Sequence, residues 1–416
     1  MMKRFVLSLT FLLMSLAAFC TKYQMVNLSS STIFEDFSSK KAATSDLVFS
    51  KVVSQTSEDG ESPEEMCNVG IKYYDEGKYR EAAYWFEKAA NQGYAQAQFN
   101  LGLCYYEGQG VVQSYEKAAY WYEKAANQGL AEAQFNLGVC YDKGRGVGQS
   151  YEKAAFWYEK AANQGIAQAQ NNLGVCYEKG KGVVQNYKNA TYWYEKAANQ
   201  GIAQAQNNLG VCYEKGKGVV QSYEKAAYWY EKAANQGIAQ AQYNLGVCYE
   251  KGKGVVQNYK NATYWYEKAA NQGYAEAQNN LGVCYEKGKG VVQNYKNATY
   301  WYEKAADQGT AEAQNNLGVC YYNGLGVAQS YEKAAYWIEK AANQGYAEAQ
   351  FNLGLCYVNG RGVVQNYEKA AYWFKKAANQ GYAQAQHNLG LCYENGFGVK
   401  KDLQKAKFWK DKSGIK

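Results

Sequence analysis

Three side-chain patterns in this chain have residue types and spacings that could do chemistry. Ser-x-x-Lys occurs at Ser114-Lys117, Ser150-Lys153, Ser222-Lys225 and Ser330-Lys333, a spacing at which a lysine amine can activate a serine for acyl transfer. Nine of the eleven cysteines, Cys104 through Cys392, recur every 36 residues, and a thiolate is both a nucleophile and a metal ligand. An asparagine series runs at the same interval through Asn100, Asn136, Asn172, Asn208, Asn244, Asn280, Asn316, Asn352 and Asn388. Its amides both donate and accept hydrogen bonds.

The first two patterns lose their chemistry when each position is followed along the chain. The serine position reads Ser114, Ser150, Asn186, Ser222, Asn258, Asn294, Ser330, Asn366 and Asp402. Asn and Asp cannot replace a serine nucleophile, but every residue in that set caps a helix N-terminus. No Lys-Thr-Gly or Ser-Asp-Asn partner motif accompanies it, and no Gly-rich loop has a phosphate-binding form. The cysteines lack Cys-x-x-Cys spacing, and His387 is the only histidine, which argues against a metal site. Equivalent atoms of stacked helices lie ~10 Å apart, beyond the ~7 Å that a disulfide spans. The thiols therefore read as small core side chains, with an end-unit bridge involving Cys67 left open. No catalytic residue, metal or cofactor is expected.

The elements that carry these residues are set by the 36-residue period. All ten tryptophans obey it, from Trp85 to Trp409, and residues 203–238 repeat 167–202 with only four changes. Within one unit Ala97, Leu101, Cys104 and Tyr105 fall on one face of a helix, helix A. Gly108 and Gly110 stop it. The cap at Ser114 starts helix B, which carries Tyr115, Ala118, Ala119, Tyr122, Ala125 and Ala126 at helical spacing and closes at Asn127-Gln128-Gly129. Helices of about 13 residues are marginal alone, so units must stack to bury their faces. Gly102, in mid-helix, costs ~1 kcal/mol against alanine. It marks the point where helices A and B approach too closely for a side chain.

The pattern A-x-A-Q-x-N-L-G-x-C-Y-x-x-G-x-G-V, followed by Y-x-x-A-x-x-W-x-x-K-A-A-x-Q-G, resembles the SEL-one-like repeat (SLR) family, a relative of the tetratricopeptide repeat (TPR). The resemblance covers nine 36-residue units over 95–416, the last one a C-terminal cap in which DLQKAKFWKDKSGIK replaces the apolar helix B. It departs from many relatives in having Val112 or Val184 where they have proline, and Cys104 where leucine is common. It implies an all-α, right-handed α/α solenoid of stacked helical hairpins. Residues 63–94 lack the long A-to-B loop and look like a TPR unit, matching that family at Gly70, Tyr73, Ala82, Phe86 and Ala89.

Ahead of the repeats, Lys3-Arg4, the mostly apolar run Phe5 to Phe19 and the small residues Ala17-Ala18 have the layout of a secretory signal over 1–20. That run is short of the ~20 residues a membrane span needs. Phe19 stands where a lipoprotein signal has a small residue, which argues against a lipid anchor at Cys20. Residues 21–62 read as a flexible spacer. The location expected is outside the cell, in the periplasm or on the surface. The formal charge of +7 is modest for 416 residues and the loop lysines are mixed with glutamates, unlike the concentrated basic stripe of a nucleic-acid binder. Sequons at Asn189, Asn261, Asn297 and Asn27 would accept glycans in a eukaryotic secretory pathway.

The helix A positions that vary most, those of Gln96, Phe99 and Tyr106, fall with Leu103 on the face opposite the core stripe. The position of Phe99 reads Phe99, Phe135, Asn171, Asn207, Tyr243, Asn279, Asn315, Phe351 and His387, aromatic towards the ends and amide-rich in the middle. The Leu103 and Val175 series places apolar side chains on an otherwise polar face, which points to a ligand surface. By resemblance to TPR proteins this face would line a concave groove, and the Asn100 series would bond the backbone of an extended peptide. The other role for that series, bridging to a neighbouring helix, stands beside it. The leading expectation is an exported, non-enzymatic scaffold for a protein or peptide partner. Two alternatives come from relatives: a β-lactam-binding or peptidoglycan-related enzyme, as suggested for cysteine-rich SLR proteins, and a eukaryotic lumenal adaptor.

Overall fold

The computed structural model describes residues 61–415. The signal, most of the spacer, Cys20 and the Asn27 sequon lie outside them. The described residues hold twenty helices and no strand. They begin with α1 (Pro63–Asp75) and α2 (Tyr79–Asn91), joined by the short connection Glu76-Gly77-Lys78. Nine longer-looped hairpins follow. The first pairs α3 (Ala95–Glu107) with α4 (Tyr115–Asn127). The same register gives α7 (Ala167–Lys179) with α8 (Tyr187–Asn199) and α9 (Ala203–Lys215) with α10 (Tyr223–Asn235). The array closes on α19 (Ala383–Asn395) and α20 (Leu403–Ser413). Each helix packs on its hairpin partner and on the next unit, so the molecule is an all-α solenoid.

The boundaries follow from residue chemistry. Helix A ends on a left-handed glycine, Gly108 at φ 72°, whose following N–H, that of Gln109, returns to the Cys104 carbonyl at 3.0 Å. Helix B starts where the cap accepts from the first turn: Ser114 Oγ from Lys117 N at 3.3 Å, Asn186 Oδ1 from Asn189 N at 3.1 Å, Asp402 Oδ1 from Lys405 N at 2.9 Å. The second loop glycine rides against the preceding unit. At Gly182, φ +72°, a Cβ would lie 2.0 Å from the Tyr151 carbonyl oxygen, which only glycine avoids.

Alanine, leucine, cysteine and, in most units, one large ring form the core, with Ile338 in the ring's place in the unit 311–346. Ala97, Leu101, Cys104, Ala118, Tyr122 and Ala125 are all buried to 1% exposure or less. A Cβ on Gly102 would sit 2.7 Å from the Tyr122 ring, as expected of a close approach between helices A and B. The clusters run from one unit into the next, Tyr122 through Leu137 and Tyr158 to Leu173. In α20 the ring is replaced by Lys410, whose Nζ meets Glu394 Oε2 at 2.6 Å.

Two polar seams join the units. At the edge where helix B turns into the next helix A, Gln98, only 4% exposed, donates to the Ala90 carbonyl at 3.2 Å and accepts from Gln128 Nε2 at 2.8 Å. The same pair recurs through Gln350, which accepts from Gln380 Nε2 at 2.9 Å, and Gln386 keeps the donated half, to the Ala378 carbonyl at 3.1 Å. At the opposite edge, a loop side chain of one unit reaches the end of helix A in the unit before. Arg145 donates to Tyr106 Oη and Arg361 to Tyr322 Oη, while Lys289 Nζ stands 4.0 Å from a Glu250 carboxylate oxygen. Phe397 reaches the unit before by stacking on Tyr367, the first residue of its helix B, at 5.4 Å.

Candidate functional site: the open stripe of the A helices

Packing on several sides leaves helix A a narrow accessible stripe. It comprises the positions of Gln96, Asn100, Leu103 and Glu107, within about 60° of one another at 100° per residue. In α7 these are Gln168, Asn172, Val175 and Lys179, the first and last exposed and the middle two half-buried. Leu103 and Val175 each keep part of their surface in solvent while touching the cores beneath. The structure thus brings the Asn100 and Leu103 series into one line.

The position of Phe99 borders that stripe: Phe99, Asn171, Tyr243, Phe351 and His387 are half-buried, and the expected face must be corrected for the other four copies. Phe135 is 6% exposed, and Asn207, Asn279 and Asn315 are 2% or less. The rings of Phe99, Phe135, Tyr243 and Phe351 pack 5.8–6.0 Å from Tyr122, Tyr158, Tyr266 and Phe374. A helix wedged between neighbours buries more than one stripe, so the side opposite the hairpin partner is still partly a seam.

The asparagines divide by what precedes them. Asn208, Asn244, Asn316 and Asn352 donate to the amide oxygens of Asn171, Asn207, Asn279 and Asn315 in the preceding unit, at 3.4, 3.3, 3.1 and 2.9 Å. Asn100 donates to Cys67 Sγ at 3.7 Å. Asn280 meets the hydroxyls of Tyr243 and Tyr266, and Asn172 that of Tyr158. Asn136 and Asn388 follow Phe99 and Phe351, whose rings offer no amide acceptor, and make no such bridge; Asn172 follows Phe135 and turns to the Tyr158 hydroxyl instead.

The Ser-x-x-Lys pairs do not converge. Ser114 Oγ donates to Glu116 Oε2 at 3.1 Å, while Lys117 Nζ lies 5.0 Å above the centre of the Tyr105 ring. Lys153, Lys225 and Lys333 sit likewise over Tyr141, Tyr213 and Tyr321. The cysteines from Cys67 to Cys392 are buried free thiols. Burial pushes Cys104 and Cys140 up to about 12 and Cys176 and Cys356 to about 11, away from thiolate reactivity. Among the described residues no group of three or more His, Cys, Asp or Glu is placed to hold a metal. In the sequon at Asn189 the Thr191 side chain is 4% exposed, its hydroxyl 2.9 Å from the Tyr187 carbonyl and 3.0 Å from that of Lys217 in the next loop.

The buried glutamines are the polar residues that sequence reasoning misses. Their signal is there: the Gln98 position is glutamine in all nine long-looped units, from Gln98 to Gln386, whereas the positions of Gln96 and Phe99 on either side vary.

Comparison with known proteins agrees with this construction. The Sel1 repeat family model matches ten consecutive segments, from 66–94 and 95–130 through 347–382 to 383–410. No curated protein matches the chain in sequence. Among solved structures, c5321, a protective antigen present in uropathogenic Escherichia coli strains and displaying an SLR fold, is 36% identical. That match covers 89% of this chain and 87% of the other, with a TM-score of 0.56. A Sel1 repeat protein from Oxalobacter formigenes is 35% identical over 59% of this chain and 97% of its own, with a TM-score of 0.55. Proteins of this family are generally interaction scaffolds rather than enzymes. With matched repeats spanning nearly all of residues 66–410, the chain belongs to the Sel1 repeat family.

Proposed function

We propose that this protein is an exported scaffold whose A-helix stripe binds an extended peptide or an extended segment of a partner protein. The observation that carries the reading is the Leu103 and Val175 series, a line of apolar side chains kept half-exposed between amides. Folding alone would gain from covering them completely. Asn136 and Asn388 add amide groups whose hydrogen-bonding capacity the fold does not use, suited to a peptide backbone. Because successive units repeat the same stripe, many weak contacts add through effective concentration, which favours a long or repetitive ligand. The signal-like residues 1–20 support export, and so does the protective-antigen character of the c5321 relative.

The test is affinity capture from lysate and envelope fractions, read by mass spectrometry, with wild type beside Asn136→Ala/Asn388→Ala. This pair avoids the asparagines that tie units together. A partner held by wild type and weakened by the still-helical variant is expected; equal capture by both would move the site elsewhere.

A further inference from the structure

The edge formed by the A-to-B loops carries a surface that the fold does not use and that meets the A-helix stripe only at its last position, that of Lys179. In the four consecutive units over 167–310 this loop reads Glu-Lys-Gly-Lys-Gly-Val-Val-Gln. Its second valine, Val184, Val220, Val256 or Val292, is 87–89% exposed. Lys179, Lys215, Lys251 and Lys287 flank these tips and are also exposed. Lys188, Lys260 and Lys296 add three more exposed cations from the first turn of helix B, where the remaining unit has the exposed acid Glu224.

The carboxylates of the same loops are engaged. Glu178, Glu214 and Glu250 each accept the buried hydroxyl of Tyr194, Tyr230 or Tyr266 at 2.7 Å, and Glu286 accepts that of Tyr302 at 2.5 Å. Half-buried acids and exposed lysines together give this edge a positive surface. The opposite edge, made of Asn-Gln-Gly turns, is neutral in these units except for Asp307.

The valines are not demanded by the structure. The same position holds Gly148, Ala328 and Lys400 in other units, so a side chain here is free to be anything. One exposed valine is ordinary; a row of four, each beside a lysine, matches what a lipid interface takes. We propose that this edge docks on an anionic lipid surface. The valine tips enter the boundary between headgroups and acyl chains, and the lysines meet the anionic headgroups. A soluble polyanion would use the lysines and leave the valines idle, which separates the two occupants.

The experiment is flotation of the full chain with vesicles of phosphatidylcholine alone and of phosphatidylcholine with phosphatidylglycerol. Two fourfold variants accompany wild type: Val184/Val220/Val256/Val292→Ser and Lys179/Lys215/Lys251/Lys287→Gln. All these side chains are exposed, so the helical signal by circular dichroism should be kept. Wild type is expected to float with the phosphatidylglycerol vesicles only, and each variant to lose about tenfold or more in binding. Variants floating like wild type would place any binding elsewhere in the chain, the N-terminal residues included, and overturn the proposal. So would wild type that ignores anionic vesicles. Loss in the lysine variant alone, with inorganic polyphosphate competing, would assign the edge to a soluble polyanion and likewise overturn it.

Discussion

Cys104 and its counterparts show how a residue capable of chemistry becomes a packing element. Burial raises these thiols from the ordinary value of 9.0 to about 11 or 12 in Cys104, Cys140, Cys176 and Cys356. The folded state therefore prefers the protonated thiol. That stability is fully present below pH 9 and is lost as pH rises from there through 11 to 12, because the unfolded chain releases its protons first. Buried Tyr194, Tyr230 and Tyr266 are raised by burial and by the neighbouring carboxylate, and work in the same direction. Urea midpoints should be level between pH 7 and 8.5 and fall steeply above 9. A midpoint unchanged up to pH 11 would contradict this burial. The cap role of Ser114 is legible in the sequence because Asn186 and Asp402 alternate with serine. The seam role of the Phe99 position is not, since helical periodicity within one unit says nothing about what the next unit covers.

Between elements, the hairpin is readable and the junction is not. Gly102, Gly108 and the helix limits follow from rules local to one unit. The pairs Gln98 with Ala90, or Lys289 with Glu250, cross from unit to unit and exist only once the stack has a register. Of these, the buried glutamine seam should matter more than the half-exposed ion pairs, which contribute a few tenths of a kcal/mol. Gln206→Leu removes the bonds to the Ala198 carbonyl and from the Gln236 amide, each of which keeps a bond to the Gly201 backbone, and should cost about 1 kcal/mol. Chemical denaturation of this variant beside Gln204→Leu, on the exposed stripe, checks it. Equal stabilities would contradict the seam.

Across the whole array, each unit touches mainly its neighbours, so stability should be close to a sum over units and junctions. Excising residues 203–238 joins Ile202 to Ala239 and leaves every register intact, with Asn244 facing Asn171 in place of Asn207. The shortened chain should fold with full helical signal per residue and a modestly lower urea midpoint; a chain unfolded in native buffer would contradict the nearest-neighbour picture. This scale was the most legible of the three, since the spacing of ten tryptophans alone announces stacked repeats. The ligand is the least legible, because units this similar repeat one surface without naming what lies on it. The direct test is photo-crosslinking. A photoreactive amino acid is placed singly at Val139, Val175 and Val211 on the A helices, and at Tyr192 and Tyr228 on the outer face of the B helices, each in the presence of the captured partner. The scaffold reading predicts covalent adducts from the three A-helix positions and none from the two B-helix positions. Adducts from the B helices alone would contradict it.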